Sequence, residues 1–235
     1  MRVLLSVPTT GMIHAESAHC LMELSHDMAL LEPEIETIIC MLPRMMIAQA
    51  REEAVNQALK LGCDYIFFID DDMIPNRGIF QTLLKHGKDI VGGMSFERLG
   101  EHNPNIYASS HVETHKDGEH IVGSMKYANI LNYDEERDEA GLLEVDAIGF
   151  GCALIKTSVF EEMDAPWFMS QFQIGEDIFF CYKAKEKGYK VYMDCSPEGQ
   201  LGHLSPPAVI NEELHKFVRR NKDRKAMEMI KAAAG

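Results

Sequence analysis

Short unbroken apolar runs alternate along this chain with longer segments in which apolar residues recur every third or fourth position. The runs at residues 2–7, 36–42, 65–69, 90–94, 145–155 and 189–193 predict strands, the last of them ending the sheet. Between them, the spacing of Ala18, Leu21, Met22, Leu24 and Met28 predicts a first helix. A second helix is expected over 47–61, stopped by Gly62, a short one over 76–86, and another starting at 157–163. Gly175 opens a further helix that runs to 187 and is stopped by Gly188. Strands alternating with helices long enough to cross over indicate an α/β fold with a largely parallel sheet.

Two stretches depart from this alternation. Residues 96–143 mix Gly, Asn, His and acidic residues and predict hairpins or a lid, a small insertion where acceptor choice is expected to reside. Residues 211–234 predict a locally basic C-terminal helix, read as a solvated face or as a peripheral contact with an anionic membrane surface. The expected organisation is one domain over 1–204, divided near residue 95 into a nucleotide-binding half and an acceptor half, followed by a helical tail over 205–235.

The most informative segment is 64–75, where an apolar strand runs directly into Asp70, Asp71 and Asp72. Ligands of open α/β sheets bind beyond the carboxyl ends of the strands, so these carboxylates are placed at a crevice. If the chain stays extended, Asp70 and Asp72 share one side and Asp71 faces the other. Two hard oxygen donors on one point suit Mg²⁺ or Mn²⁺, whose shell is completed by water and substrate phosphates. The alternative is a solvated acidic turn. His203 stands past the last expected strand, a position from which its imidazole would join the same ion. Glu176 and Asp177 open a helix, where they read equally as a capping pair and as a candidate general base. The base reading gains from the preceding aromatic segment, in which Trp167 or Phe168 would stack on a sugar. Gly149 and Gly151 mark a place where backbone approaches ligand or neighbouring chain closely, without the third glycine of a dinucleotide fingerprint.

Composition narrows the picture. Acidic residues outnumber basic ones by 37 to 23, a net charge of −14, which argues against a general nucleic-acid binder but leaves room for a single nucleotide bridged by a metal. The six scattered cysteines form no metal or disulfide framework, and no run is apolar enough to span a membrane, so a cytoplasmic location is expected. Phosphate-loop, serine-hydrolase and zincin motifs are missing.

Taken in order, several segments resemble the GT-A class of nucleotide-sugar glycosyltransferases, particularly small family-2-like members of bacteria, phages and large viruses. They are residues 6–10 (Ser-Val-Pro-Thr-Thr), 48–51 (Ala-Gln-Ala-Arg), the D-x-D element at 69–73, 91–94 (Val-Gly-Gly-Met), the Gly-rich strand at 146–155, the Glu-Asp helix start at 175–180, and Gly202 with His203. The resemblance implies that Asp70 and Asp72 hold Mn²⁺ or Mg²⁺ against the donor diphosphate, with His203 as a further ligand. It implies that Pro8, Thr9, Thr10, Arg51 and Asp71 line the donor pocket together with Gly149 and Gly151. Asp177 would be the base of an inverting transfer, with Glu176 in reserve. The expected partners are a nucleoside-diphosphate sugar, with UDP or GDP as the nucleotide, and a glycan, lipid-linked or protein hydroxyl acceptor. A sugar-phosphate nucleotidyltransferase and a noncatalytic glycan-binding module are the competing readings. The chain departs from the family pattern at Glu52 and Glu53, where many relatives carry a small residue and Asn.

Overall fold

The computed structural model describes residues 1–31, 35–117, 120–170, 174–205 and 208–233. The amino-terminal half alternates as the apolar pattern requires: β1 (Arg2–Thr9), α1 (Ala15–Ala29), β2 (Glu36–Pro43), α2 (Ile47–Leu61) and β3 (Tyr65–Ile69). There follow β4 (Met73–Pro75), α3 (Ile79–Lys85), β5 (Ile90–Gly93), the hairpin strands β6 (Ile106–Asp117) and β7 (His120–Asn129), and the single-turn α4 (Tyr133–Glu136). The remainder comprises β8 (Leu142–Val145), β9 (Ala147–Ile148), β10 (Cys152–Lys156), α5 (Thr157–Glu162), α6 (Glu176–Glu186), β11 (Val191–Asp194), β12 (Leu201–Ser205), β13 (Ala208–Ile210) and α7 (Glu212–Ala233).

A seven-stranded sheet in the order β2-β1-β3-β10-β5-β11-β8 forms the centre. Strands β2, β1, β3, β5 and β11 run one way, while β10 and β8 run against them. β3 shows why the sheet is buried on both faces. Its alternate residues Ile66 and Phe68 join the core beneath α2, α5 and α6, while Phe67 and Ile69 join the opposite core beneath α1 and α3. α2 packs closely through Ala50, Ala54 and Ala58, all fully buried at four-residue spacing. Its end is fixed by Gly62 in the left-handed region at φ 63°, and the Cys63 N–H reaches back 2.9 Å to the Ala58 carbonyl.

The antiparallel β10 positions the site. Because it enters between β3 and β5 from the opposite direction, its leading Gly151 lies at the carboxyl ends of the parallel strands, where its carbonyl accepts the Asp70 N–H at 3.1 Å. The expected single strand over 145–155 is therefore three short ones. β8 pairs with β11, β9 pairs with β6, and the chain then turns at Gly149 and Gly151 into β10. Nor does the strand near residue 190 end the sheet structure. β12 and β13 follow and join β4 in a separate three-stranded sheet, whose register sets His203 opposite Met73. α7 is docked at its start: the Asn211 side chain caps the Leu214 N–H at 3.0 Å, and buried His215 stacks on Phe96 with ring centroids 5.3 Å apart. No described helix is long and apolar enough to cross a membrane.

The expectation that Trp167 or Phe168 offers a sugar-stacking face is overturned. Both are buried. The Trp167 indole N–H donates to the carbonyls of Phe160 and Met163, each at 3.0 Å, and Phe168 stacks on Phe180 at 5.2 Å within a cluster that includes Phe150 and Phe160. Glu52, one of the residues that departs from the family pattern, holds this turn by accepting the Trp167 and Phe168 backbone N–H groups, each at 3.0 Å. Phe168→Ala is thus expected to cost about 3–5 kcal/mol in chemical denaturation, the penalty of a core aromatic. An exposed stacking residue would cost about 0.5 kcal/mol or less, and that result would return Phe168 to the surface.

Candidate active site

The geometry is organised by Arg51, the fifth residue of α2, whose side chain is only 2% exposed. Its Nη2 donates to Asp70 Oδ1 at 3.0 Å and Oδ2 at 3.3 Å, and its Nε donates to Glu176 Oε1 at 3.1 Å. The guanidinium carbon lies 5.4 Å from the Phe68 ring centroid and 5.5 Å from that of Phe150. Nη1 is buried and has no hydrogen-bond partner among the described residues. One guanidinium thus ties the end of β3 to the start of α6, although the two lie 106 residues apart in sequence (176 − 70).

The three aspartates do not stay extended. Met73 N–H donates to the Asp70 carbonyl at 3.1 Å, closing a turn that sends each carboxylate to a different partner. Asp70 faces Arg51. Asp71 accepts the Thr10 backbone N–H at 3.3 Å and so holds the loop after β1. Asp72 faces His203 and Arg98. Asp70 and Asp72 remain close enough to repel. Burial first, then the charges of Asp72 and Glu176, outweigh Arg51 and raise the Asp70 carboxyl to about 6.

Asp72 Oδ2 lies 3.0 Å from Arg98 Nη1 and 3.4 Å from His203 Nε2. Burial pushes its carboxyl up, but His203 and Arg98 together more than offset this and hold it below the ordinary Asp range. His203 Nδ1 is 2.7 Å from the Phe96 carbonyl. A carbonyl only accepts, so Nδ1 carries a proton; Nε2 then faces Asp72 as a donor in the charged ring, and presents its lone pair only when the ring is neutral, as a metal ligand must be. An oxygen and a nitrogen donor therefore face one another with an arginine already seated on the oxygen. Among the described residues no three His, Cys, Asp or Glu side chains converge as a finished cage. The donor set nevertheless fits a divalent ion that draws its other ligands from substrate phosphates and water.

Pro8 and Thr9 end β1, with Pro8 buried. Arg44, at φ 60°, donates its backbone N–H to the Thr9 carbonyl at 2.9 Å, and its side chain lies against Gly11, where an added Cβ would meet Nε at 3.1 Å. Gly149 and Gly151 are close-packing positions. A Cβ on Gly149 would come within 3.0 Å of the Asn105 side chain, and one on Gly151 within 2.7 Å of Met73.

Glu176 is buried beside Arg51, and Asp177 lies next to it, half-buried, with Oδ1 accepting the Ile178 N–H at 2.8 Å. Burial, then Glu176, raise the Asp177 carboxyl to about 6, against the opposing pull of Arg51. A second set of polar groups comes from residues that the sequence patterns did not single out. Tyr107 OH is 3.3 Å from Asn105 Oδ1, Asn105 Nδ2 donates to Ser95 Oγ at 3.0 Å, and Asn129 Nδ2 donates to Glu97 Oε1 at 3.1 Å. Burial, then the charges of Asp177 and Glu97, push the Tyr107 phenol well above its ordinary range. Arg98 was also missed, although a basic residue just beyond the carboxyl end of the strand at 90–94 was a readable signal.

No protein-family model matches this chain, and no curated protein matches it. Among solved structures it is similar to the crystal structure of A197 from STIV, at 22% identity and a TM-score of 0.61 over 91% of each chain. It is also similar to the crystal structure of GalNAc-T7 with UDP, GalNAc and Mn2+, at 13% identity and a TM-score of 0.48, over 86% of this chain and 44% of that one. The first likeness, with the mostly parallel seven-stranded sheet flanked by helices, defines a Rossmann-like α/β fold of the GT-A type.

The buried charges set two expected outcomes. Arg51→Met is expected to lower stability by about 3–5 kcal/mol, because it strands buried acids. Adding Glu176→Gln should recover part of the loss, and a strictly additive pair would show that the bridge carries no coupling. Folded Asp177 holds its proton more tightly than the unfolded chain does, so its ionisation weakens the fold as pH rises from 3.8 to about 6. Asp177→Asn should therefore raise Tm by roughly 2–4 °C at pH 7, or about 1 kcal/mol after solvent screening, with no gain below roughly pH 4. A gain that persists in acid would contradict the assignment.

Proposed function

We propose that this chain is a metal-dependent glycosyltransferase that moves a sugar from a nucleoside-diphosphate sugar to a hydroxyl acceptor. The observation that carries this reading is the Arg51 bridge. It joins the acid triplet at the end of β3, where a cation and a diphosphate would sit, to the Glu176–Asp177 pair, where a base would sit. A fold of this type places its ligands beyond the strand ends, where both groups are found.

In this reading Asp72 and His203 would hold the divalent ion, while Asp70, expected from the sequence to share it, is instead paired with Arg51. Such an ion offsets the charge that develops on the departing nucleoside diphosphate. The loop at Pro8, Thr9 and Thr10, anchored by Asp71, borders the nucleoside. Asp177 accepts the proton of the acceptor hydroxyl as its oxygen attacks the anomeric carbon and the bond to the diphosphate breaks. A carboxyl near pH 6 is well matched to this, being ionised at neutral pH yet more basic than a free aspartate. Arg51 keeps Glu176 paired, which leaves Asp177 as the acid of the pair free to take the proton. Tyr107, Asn105 and Asn129 border the acceptor side and orient the hydroxyl.

The test is calorimetric titration of UDP, GDP, dTDP and CMP with Mn²⁺ and with chelator, against wild type and Asp72→Ala. Metal-dependent binding of one nucleotide is expected, weakened about 10- to 100-fold in the variant. Asp177→Asn should keep that binding and lose turnover, and the wild-type rate should rise with pH through about 6 and then level. Failure of all four nucleotides to bind would remove the donor site, and full turnover by Asp177→Asn would remove the base.

A further inference from the structure

The acids at the strand ends create a problem for a diphosphate ligand. Asp70, Asp71, Glu176 and Asp177 stand at the end of β3 and the start of α6 in a chain of net charge −14, and buried Arg51 is already committed to two of them. Arg98 is placed differently. Its side chain is 53% exposed, yet its Nη1 sits 3.0 Å from Asp72 Oδ2, the same oxygen that faces His203 Nε2. A cation thus already occupies the electrostatic position that a metal ion would take.

The loop that carries Arg98 touches both candidate ligands. Phe96, at its root, supplies the carbonyl that fixes His203, and Arg98 reaches Asp72. The loop is closed on itself by Glu97 N–H to the Asn103 carbonyl at 2.9 Å and by His102 Nδ1 to the Glu97 carbonyl at 2.9 Å. Its tip, with Leu99 82% exposed and Gly100 at φ 76°, packs into no core, so the arginine can leave Asp72 without unmaking one.

We propose that Arg98 is a cation surrogate and diphosphate clamp: it holds Asp72 until a divalent ion displaces it, and the released guanidinium then binds the donor diphosphate. The proposal rests on the glycosyltransferase reading above. A half-exposed monovalent pair yields readily to a divalent ion at a carboxylate. The guanidinium fork suits two phosphate oxygens, and once displaced it lies beside the place where they arrive. Metal binding and diphosphate binding are then coupled, because the first releases the group that strengthens the second.

The experiment measures Mn²⁺ binding alone, then inorganic pyrophosphate binding at saturating Mn²⁺, for wild type, Arg98→Gln, Arg98→Lys and Arg77→Gln. Arg77, itself exposed, pairs with the mostly buried Asp27 carboxylate of α1 rather than with Asp72, so its replacement removes the same charge at a different acid. Arg98→Gln should tighten Mn²⁺ about two- to fivefold, since one exposed ion pair no longer competes. It should weaken pyrophosphate about tenfold or more. Arg98→Lys should fall between wild type and Arg98→Gln in both titrations, and Arg77→Gln should leave both near wild type. If wild type binds both ligands but Arg98→Gln moves neither, or moves both the same way, the Arg98 proposal falls alone. A Mn²⁺ gain equalled by Arg77→Gln would reduce the effect to net charge and also overturn it. If wild type binds neither ligand, the donor-site reading falls and takes the proposal with it.

Discussion

A guanidinium that is 2% exposed can persist in a protein interior only if its charge is answered on every side that water has left. Arg51 meets most of this condition: Nε and Nη2 face Glu176 and Asp70 and the plane lies by two aromatic rings, while buried Nη1 has no partner among the described residues. None of these partners comes from its own helix; α2 supplies only the frame. The pairing therefore acts as a constraint on tertiary structure: β3 must end where Asp70 reaches Nη2, and α6 must begin where Glu176 reaches Nε. The small stripe Ala50, Ala54 and Ala58 serves the same end by bringing α2 close to the sheet. A larger residue in that stripe would push Arg51 away from both acids and leave three charges poorly paired.

Once Asp70 is committed to Arg51, the acid triplet stops being three equivalent carboxylates. Asp70 anchors the guanidinium, Asp71 holds the backbone after β1, and Asp72 faces His203 and the half-exposed Arg98. The same division operates at α6. Glu176 is paired with Arg51, whereas Asp177, one residue on, carries a raised pKa because burial and its neighbour both oppose its charge. Of two adjacent acids, one is thus tied to the arginine and the other is left without a side-chain counter-ion of its own among the described residues.

The central sheet was legible because it is buried on both faces, so its strands read as continuous apolar runs. The expected helix at 47–61 and strand at 65–69 coincide with α2 and β3, where Ala-rich periodicity and aromatic, β-branched residues agree with the tertiary setting. The site was legible only in part. That carboxylates stand beyond β3 follows from the strand, but their directions depend on a turn closed by a single hydrogen bond, which alternation along an extended chain does not anticipate. β12, with Gly202 and His203 at its centre, has little strand propensity of its own and exists through pairing with β4 and β13. Trp167 and Phe168 read as exposed because loop punctuation surrounds them. Glu52, on a distant helix, is what pins that turn inward.

The two sides of the site are built by different physics. The side that carries the acid triplet rests on strand ends and one buried salt bridge, held by the sheet register and costly to alter. The other side is built from neutral hydrogen bonds among Ser95, Asn105 and Tyr107, and a separate one from Asn129 to the Glu97 carboxylate, on loops and hairpin strands outside the central sheet. Exchange of one such neutral partner costs about 1 kcal/mol, against several for the Arg51 pair. Substitutions can therefore change what the second side recognises without unfolding the first. The Arg51 bridge meanwhile keeps the start of α6, and with it Asp177, tied to the sheet rather than to the loops.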